Sequence, residues 1–168
     1  MTDCRVDVVV EDDRWAGTAL GTVAVAACSG VLKALDLPCA DYEVALLACN
    51  DARIGLLNAE FRDQATATNI LSWPARPCTP GDDGQAPAPP GRAPGEGPVF
   101  LGDMAMAYET CLREAERQDI PPTDHMTHLL VHGCLHLLGY DHVLEKQAAV
   151  MEELEVAILA KLGIANPY

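Results

Sequence analysis

The residues with the clearest chemical potential are five histidines, which all lie between His125 and His142. His132 and His136 are four residues apart, so on an α-helix they occupy the same face, one turn apart. At this spacing two imidazole nitrogens can bind one zinc ion at about 2.0–2.1 Å. Gly139 can adopt the left-handed conformation that ends a helix, which would let the chain return and bring His142 to the same ion. We therefore predict that one zinc ion is bound by His132, His136 and His142.

The number and spacing of these histidines indicate which chemistry the site would perform. Three neutral imidazoles leave the fourth tetrahedral position of zinc for water, which is typical of catalytic sites. The spacing HxxxHxxGxxH matches the metzincin protease template, except that Gly133 stands where the template has glutamate. In those proteases the glutamate is the general base, so its absence disfavours peptide hydrolysis by that route. Phosphodiester cleavage depends more on charge neutralisation by a metal and cationic side chains, and the pattern favours it.

Three further polar residues are candidates for supporting the ligands. His128 lies one turn before His132, where we expect it to orient a ligand or pack beneath the site, with a role as fourth ligand as the alternative. Asp141 could accept a hydrogen bond from a ligand, relay a proton, or cap the loop at His142. Asp103 could orient a ligand, or it could be a turn residue at the end of a strand. Four residues are expected near or in solvent: His125, Glu152, Glu153 and Glu155.

The remaining sequence indicates the elements that must position these residues. β-Branched alternation, Ala-rich runs and turn residues predict strands separated by helices early in the chain, followed by consecutive helices. This order indicates an α+β fold with a small mixed β-sheet of about four strands, helices packed on it, and the zinc site on a helix of the C-terminal half and the loop after it. The predicted strands are 5–10, 42–49, 68–73 and 99–107, and the predicted helices are 18–35, one starting near 50–51, 108–118, 123–138 and 144–162.

Composition limits the classes of protein that the chain can belong to. Its 168 residues fit one domain over 1–168, interrupted by a Pro/Gly-rich segment at about 75–98 that we expect to be a mobile loop. Eleven Lys and Arg against 25 Asp and Glu give a net charge of −14, which excludes a general nucleic-acid or anionic-membrane coat protein. A nucleic-acid enzyme with local positive charge is still compatible with this net charge.

The chain has seven cysteines without a CxxC pair, and we find no basic secretion signal or membrane segment. These features favour a reducing cytoplasm.

Several stretches together resemble one protein family. Residues 132–142, HGCLHLLGYDH, resemble the signature of the YbeY family of metal-dependent endoribonucleases, also called rRNA maturation factors. The likeness runs from about residue 49 to residue 168, whereas the first forty residues agree only in general pattern. Trp73 replaces the family's usual phenylalanine, and the Pro/Gly segment is longer than the family usually has. The other matching stretches are 57–62 (LNAEFR), 68–74 (TNILSWP), 101–104 (LGDM), 151–155 (MEELE) and 162–168 (LGIANPY).

The resemblance implies a zinc-centred hydrolase of single-stranded RNA that acts in ribosomal RNA maturation and ribosome quality control. It implies His132, His136 and His142 as the ligands, and Arg62 as the cationic catalytic or substrate-binding residue. Arg62 precedes the strand that ends near Ser72, where a guanidinium could bind a phosphate bidentately. The implied partners are single-stranded or ribosomal RNA and the ribosome or its proteins, in the cytoplasm and without a membrane.

Two other functions are compatible with the histidine pattern. The first is a different zinc hydrolase, either an atypical metalloprotease or an amidase, whose base comes from elsewhere in the chain. The second is a non-enzymatic, ribosome-associated module with structural zinc. That second function predicts a closed coordination sphere in which His128 or a cysteine is the fourth ligand.

Overall fold

The computed structural model describes residues 2–63, 66–77 and 85–168. These residues form the predicted α+β fold, with four strands and helices packed on both faces of the sheet. Most element boundaries lie within two residues of their predicted positions. The elements are β1 (Arg5–Val10), α1 (Leu20–Ala34), β2 (Tyr42–Cys49), α2 (Asp51–Arg62), β3 (Ile70–Pro74), β4 (Val99–Ala107), α3 (Tyr108–Gln118), α4 (Pro122–Leu137) and α5 (Glu145–Lys161).

The sheet is mixed, and its strand order is β1-β2-β4-β3. β1 pairs with β2, and β2 pairs with β4, both in the parallel direction. Parallel neighbours need a crossover connection, which is α1 between β1 and β2, and α2 together with β3 between β2 and β4. β3 pairs with β4 in the antiparallel direction, with Ser72 opposite Met104. β3 is therefore an edge strand of the sheet, and its outer side borders the cleft described below.

Helix α4 is the centre of the larger core. It packs against α1, α3 and α5 and against strands β3 and β4. Its residues Leu130, Val131 and Leu135 are completely buried, together with Met104 of β4. A smaller core forms on the opposite face of the sheet, where Ile54 of α2 is buried. The histidines of α4 are thus carried by the most enclosed helix of the fold, which limits their movement.

Two short 3-10 helices, Asp13–Gly17 and Cys39–Asp41, were not predicted. The first one is held in place by Trp15, whose side chain is 1% exposed and donates a hydrogen bond from Nε1 to the carbonyl oxygen of Cys49 at 2.8 Å. A single buried tryptophan therefore fixes this turn against the end of β2. A helix of three to five residues is too short to produce a periodic pattern in the sequence, so neither turn could be recognised there.

The Pro/Gly-rich segment contains no helix or strand at residues 75–77 and 85–98, and residues 78–84 lie outside the described part of the chain. Two contacts tie the described part to the start of β2. The Tyr42 hydroxyl donates to the carbonyl oxygen of Pro90 at 2.7 Å, and Arg92 pairs with Asp41 at 3.0 Å. The mobility of the whole segment, and the division into a single domain, stay predictions. Across the described ranges, no helix has the length and apolarity needed to span a membrane.

Candidate metal centre

The three predicted zinc ligands come together at the end of α4. His132 and His136 lie in the last turns of the helix, which ends at Leu137. Gly139 has a φ of 100°, and the Tyr140 amide bonds back to the carbonyl oxygen of Leu135 at 3.1 Å. This left-handed C-terminal turn reverses the chain. As a result, one ligand nitrogen each from His132, His136 and His142 lies within 4.8 Å of the other two.

The hydrogen bonds of two of these rings show that the site is suited to a cation. Nδ1 of His132 lies 2.5 Å from a carboxylate oxygen of Glu155, and Nδ1 of His136 lies 2.9 Å from the carbonyl oxygen of Tyr140. Both partners are acceptors, so each Nδ1 carries the proton. The two Nε2 atoms, 3.0 Å apart, then present lone pairs to each other when the rings are neutral. A metal ion bound by both lone pairs resolves this repulsion, and imidazole nitrogen suits zinc.

The protonation of His136 agrees with a role as ligand. Burial, followed by the neighbouring His132 and His142 rings, lowers the pKa of His136 to about 4. The ring is therefore neutral near pH 7, and a neutral imidazole is the form that binds a metal.

Glu155 was not predicted to take part in the site. We expected it on a solvent-exposed face of α5, but its exposure is 0% and it contacts His132. Burial alone would raise the pKa of Glu155, but the His128, His132 and Tyr168 side chains lower it to about 2. The carboxylate is therefore ionised. The sequence did contain a signal, because Met151 and Leu159, four residues before and after Glu155, are apolar and place it on the buried face of α5.

The other predicted supporting residues have different outcomes. Nε2 of His128 lies 3.6 Å from Glu155 and is not part of the three-histidine cluster. Asp141 accepts a hydrogen bond from the backbone amide of His142 at 2.7 Å, so it caps the loop. Asp103 is exposed and, by strand alternation, lies on the face of β4 away from α4, so the structure does not bring it to the three histidines.

His125 is also placed differently from the expectation. It is 3% exposed rather than solvent-facing, and its Nε2 lies 3.0 Å from a carboxylate oxygen of Glu114. The same carboxylate accepts a hydrogen bond from the side-chain amide of Asn69, just before β3. His125 therefore belongs to a contact between α3 and α4 and lies outside the three-histidine cluster.

Arg62 lies in the same cleft as the histidines. It is the last residue of α2, and its Nη2 donates to the carbonyl oxygen of Ser72 at 2.8 Å, which fixes the guanidinium beside edge strand β3. The cleft has a volume of about 1000 Å³, and Arg76 also lines it. Two arginines beside a cation site supply local positive charge in a chain whose net charge is −14.

Gly133 occupies the position of the protease base in a very confined space. A Cβ atom at this residue would lie 2.7 Å from Sδ of Met104, 2.9 Å from Cδ1 of Ile70 and 3.1 Å from Oγ of Ser72. Helix α4 therefore packs closely on β3 and β4, and any side chain at this position would displace the ends of the Met104, Ile70 and Ser72 side chains. The packing therefore disfavours the glutamate that a metzincin protease needs at this position.

Comparison with known proteins relates the sequence of this chain to one family. The sequence profile described as "Endoribonuclease YbeY" matches residues 12–163. A protein of that name from Ruegeria sp. (strain TM1040) is 50% identical over 163 residues, covering 97% of this chain and 95% of its own. Another, from Dinoroseobacter shibae, is 51% identical over 164 residues, covering 97% and 90% respectively.

A solved structure supports the fold at lower identity. The solution structure of TM1509 from Thermotoga maritima aligns with a TM-score of 0.53 and 18% identity, covering 94% of this chain and 91% of that one. At this identity the likeness shows a shared backbone fold and does not extend to activity.

Proposed function

Since the chain belongs to the YbeY family of endoribonucleases, we propose that it cleaves single-stranded RNA with one zinc ion held by His132, His136 and His142. We include in this proposal a role in ribosomal RNA maturation and ribosome quality control. The endoribonuclease activity comes from the family. The zinc ion, its number and the choice of RNA are supported by the geometry of the cleft.

One observation carries the proposal. Nε2 of His132 and Nε2 of His136 face each other at 3.0 Å while their Nδ1 atoms are held by acceptors. A ligand nitrogen of His142 is close enough to complete a three-nitrogen set. This donor set is typical of catalytic zinc, which keeps one position open. When bound, the ion would supply the positive charge that polarises a phosphoryl oxygen.

The side chains of this protein have separate tasks around a bound phosphodiester. The Arg62 guanidinium, fixed by Ser72, is placed to donate hydrogen bonds to phosphate oxygens and to offset the charge that develops during cleavage. A phosphate between Arg62 and the histidines must enter a concave cleft. A single strand can bend its backbone into such a cleft, whereas a regular A-form duplex is rigid and presents its phosphates on a convex surface. This favours single-stranded RNA as substrate.

The same contacts argue against a structural zinc site. Nε2 of His128 is directed to Glu155, so this ring does not complete the coordination sphere. The six cysteines in the described ranges are all buried and none belongs to the histidine cluster. The histidines line an open cleft, which is the arrangement of a site that admits a substrate.

The proposal is tested by His136→Ala, with zinc content and cleavage of a single-stranded RNA measured on the same preparation. We expect the variant to lose the metal and nearly all cleavage, because one of three ligands is missing. Glu153→Gln, on an exposed part of α5, is the control and should behave as the unchanged protein. Undiminished cleavage by the metal-free variant would contradict the proposal.

The cellular partner is tested separately. A ribosomal RNA substrate would place the action of the protein in the cytoplasm, on the ribosome or its proteins. We expect the protein to co-sediment with ribosomal particles and to shorten single-stranded ends of their RNA. Equal cleavage of any unrelated single strand, without co-sedimentation, would contradict the ribosomal part of the proposal and leave the ribonuclease activity in place.

A further inference from the structure

Glu155 is the most enclosed charged group beside the cleft. Its side chain has 0% exposure, and each carboxylate oxygen has its own neighbours. Oε1 lies 2.5 Å from Nδ1 of His132. Oε2 accepts a hydrogen bond from the Tyr168 hydroxyl and lies 3.6 Å from Nε2 of His128. A buried carboxylate is costly unless it is paired and hydrogen-bonded, so this arrangement needs all of its partners.

The contact with His132 determines which nitrogen of the ring faces the cleft. A carboxylate oxygen at Nδ1 holds the proton there, and Nε2 is left with its lone pair directed to the position that His136 and His142 share. Without this acceptor, the ring could rotate about χ2 or place its proton on Nε2. Either change would remove one donor from the metal site. Carboxylate partners of ligand histidines commonly increase metal affinity in this way.

Tyr168 connects the segment after α5 to the same carboxylate. Its ring lies 5.7 Å from the His128 ring in an edge-on arrangement, and it lines the cleft that holds the three histidines. Although 61% of the residue is exposed, its hydroxyl reaches the buried Glu155. Through Tyr168, the segment from 162 to 168 therefore supplies the hydrogen-bond donor that holds Oε2 of Glu155 in place.

We propose that Glu155 is a positioning residue that fixes the tautomer and orientation of His132 for metal binding, and that Tyr168 in turn fixes Glu155. This inference rests on the proposed metal site at His132, His136 and His142. It assigns a role to a helix and a chain segment that lie outside the HxxxHxxGxxH motif. Glu155 acts through His132 and does not touch the substrate.

The test measures zinc affinity by competition with a chromophoric chelator. Glu155→Gln keeps the volume and an acceptor oxygen but removes the charge, and we expect it to weaken zinc binding about 10-fold. Glu155→Ala removes the acceptor, and we expect a loss of up to about 100-fold. Tyr168→Phe removes one hydroxyl at an exposed residue, so it should fold normally and weaken binding less than Glu155→Gln. Glu153→Gln is the matched control on the same helix and should leave the affinity unchanged.

A second measurement separates positioning from general damage to the fold. In the metal-free protein, where no ion on Nε2 fixes the proton of the ring, long-range proton–nitrogen NMR spectra report which imidazole nitrogen bears hydrogen. We expect the His132 Nδ1–H signal in the unchanged protein and in Tyr168→Phe, and its loss or rapid solvent exchange in Glu155→Ala. The spectra of His125, which is buried elsewhere on α4, should stay the same in every variant that retains the fold.

The outcomes distinguish this inference from the proposed function. If His136→Ala abolishes zinc binding while Glu155→Gln, Glu155→Ala and Tyr168→Phe all bind zinc as the unchanged protein does, the positioning role is wrong and the metal site stands. If His136→Ala itself binds zinc normally, the metal site fails, and the inference fails with it. Weaker zinc binding in the order Tyr168→Phe, Glu155→Gln, Glu155→Ala, with the NMR change, supports the inference.

Discussion

Arg62 shows how one hydrogen bond can hold a cationic side chain in place beside a cleft. An arginine on a surface normally samples many rotamers, and ordering it costs conformational entropy. Here the bond from Nη2 to the carbonyl oxygen of Ser72 at 2.8 Å holds the guanidinium at the cleft before a substrate binds. The anchor is a backbone atom of β3, so the position of Arg62 follows the position of the sheet edge.

Arg62→Ala is expected to lower kcat/KM for single-stranded RNA about 100-fold or more, because it removes a preorganised donor for the charge that develops on the phosphate. Arg62→Lys should recover little of this loss, since lysine lacks the planar fork. Zinc content should stay unchanged in both. Arg53→Ala is the control, because Arg53 lies on the same helix but pairs with Glu11. Equal activity of the Arg62 and Arg53 variants would show that Arg62 has no catalytic part.

Among the secondary-structure elements, α4 approaches the sheet so closely that a glycine is favoured within its histidine motif. Gly133 permits this approach, and the space that a Cβ would need is taken by Met104, Ile70 and Ser72. A helix glycine usually costs stability relative to alanine. Here the glycine is instead required by the helix–sheet contact, and the same contact brings His132 and His136 next to β3.

Gly133→Ala is therefore expected to lower the free energy of unfolding by about 1–2 kcal/mol, because overpacking costs more than the gain in helix propensity. Gly55→Ala in α2 is the matched control. Its nearest neighbour would be the Ala67 amide at 3.8 Å, an ordinary contact, so we expect it to stabilise the protein by about 0.5–1 kcal/mol. Urea unfolding measures both. A Gly133→Ala protein that is as stable as the Gly55→Ala protein would contradict the packing argument.

The elements differ in how far the sequence determines them. The strand at 5–10 and the helices that contain His132 and Met151 could be predicted because their periodicity is local. The strand order β1-β2-β4-β3 depends on contacts between residues far apart in the chain, which no local pattern contains. Glu155 was misplaced because its charge suggested solvent, although its neighbours in the helix indicated burial. Asp103 lies within β4 and not at its end, and strand alternation would have indicated that it faces away from α4.

At the level of the whole molecule, an acidic protein combines an open cleft lined by histidines and two arginines with a core that contains several thiols. The six cysteines in the described ranges are all buried. Burial raises the pKa of the Cys4 thiol and of the Cys49 thiol to about 12. It also raises the pKa of Cys111. These thiols are therefore protonated at ordinary pH and sheltered from reagents, which is typical of structural cysteines.

In a Cys78→Ser variant, which removes the one cysteine outside the described residues, we expect almost no rapid reaction with a thiol reagent at pH 8. All six remaining thiols should react once the protein is unfolded in guanidinium, which serves as the internal control. The reason is that the thiolate is the reactive form and the folded core suppresses it. Rapid reaction of one or more thiols in the native protein would show that the core around at least one of these six cysteines opens readily.

We propose that RNA cleavage in this cleft requires one zinc ion, held by His132, His136 and His142. The most direct measurement titrates zinc into the metal-free protein while cleavage of a single-stranded RNA is followed. We expect negligible cleavage without metal and a linear rise that stops at one zinc ion per chain. Full cleavage by the metal-free protein, or a rise that continues to two ions per chain, would contradict it.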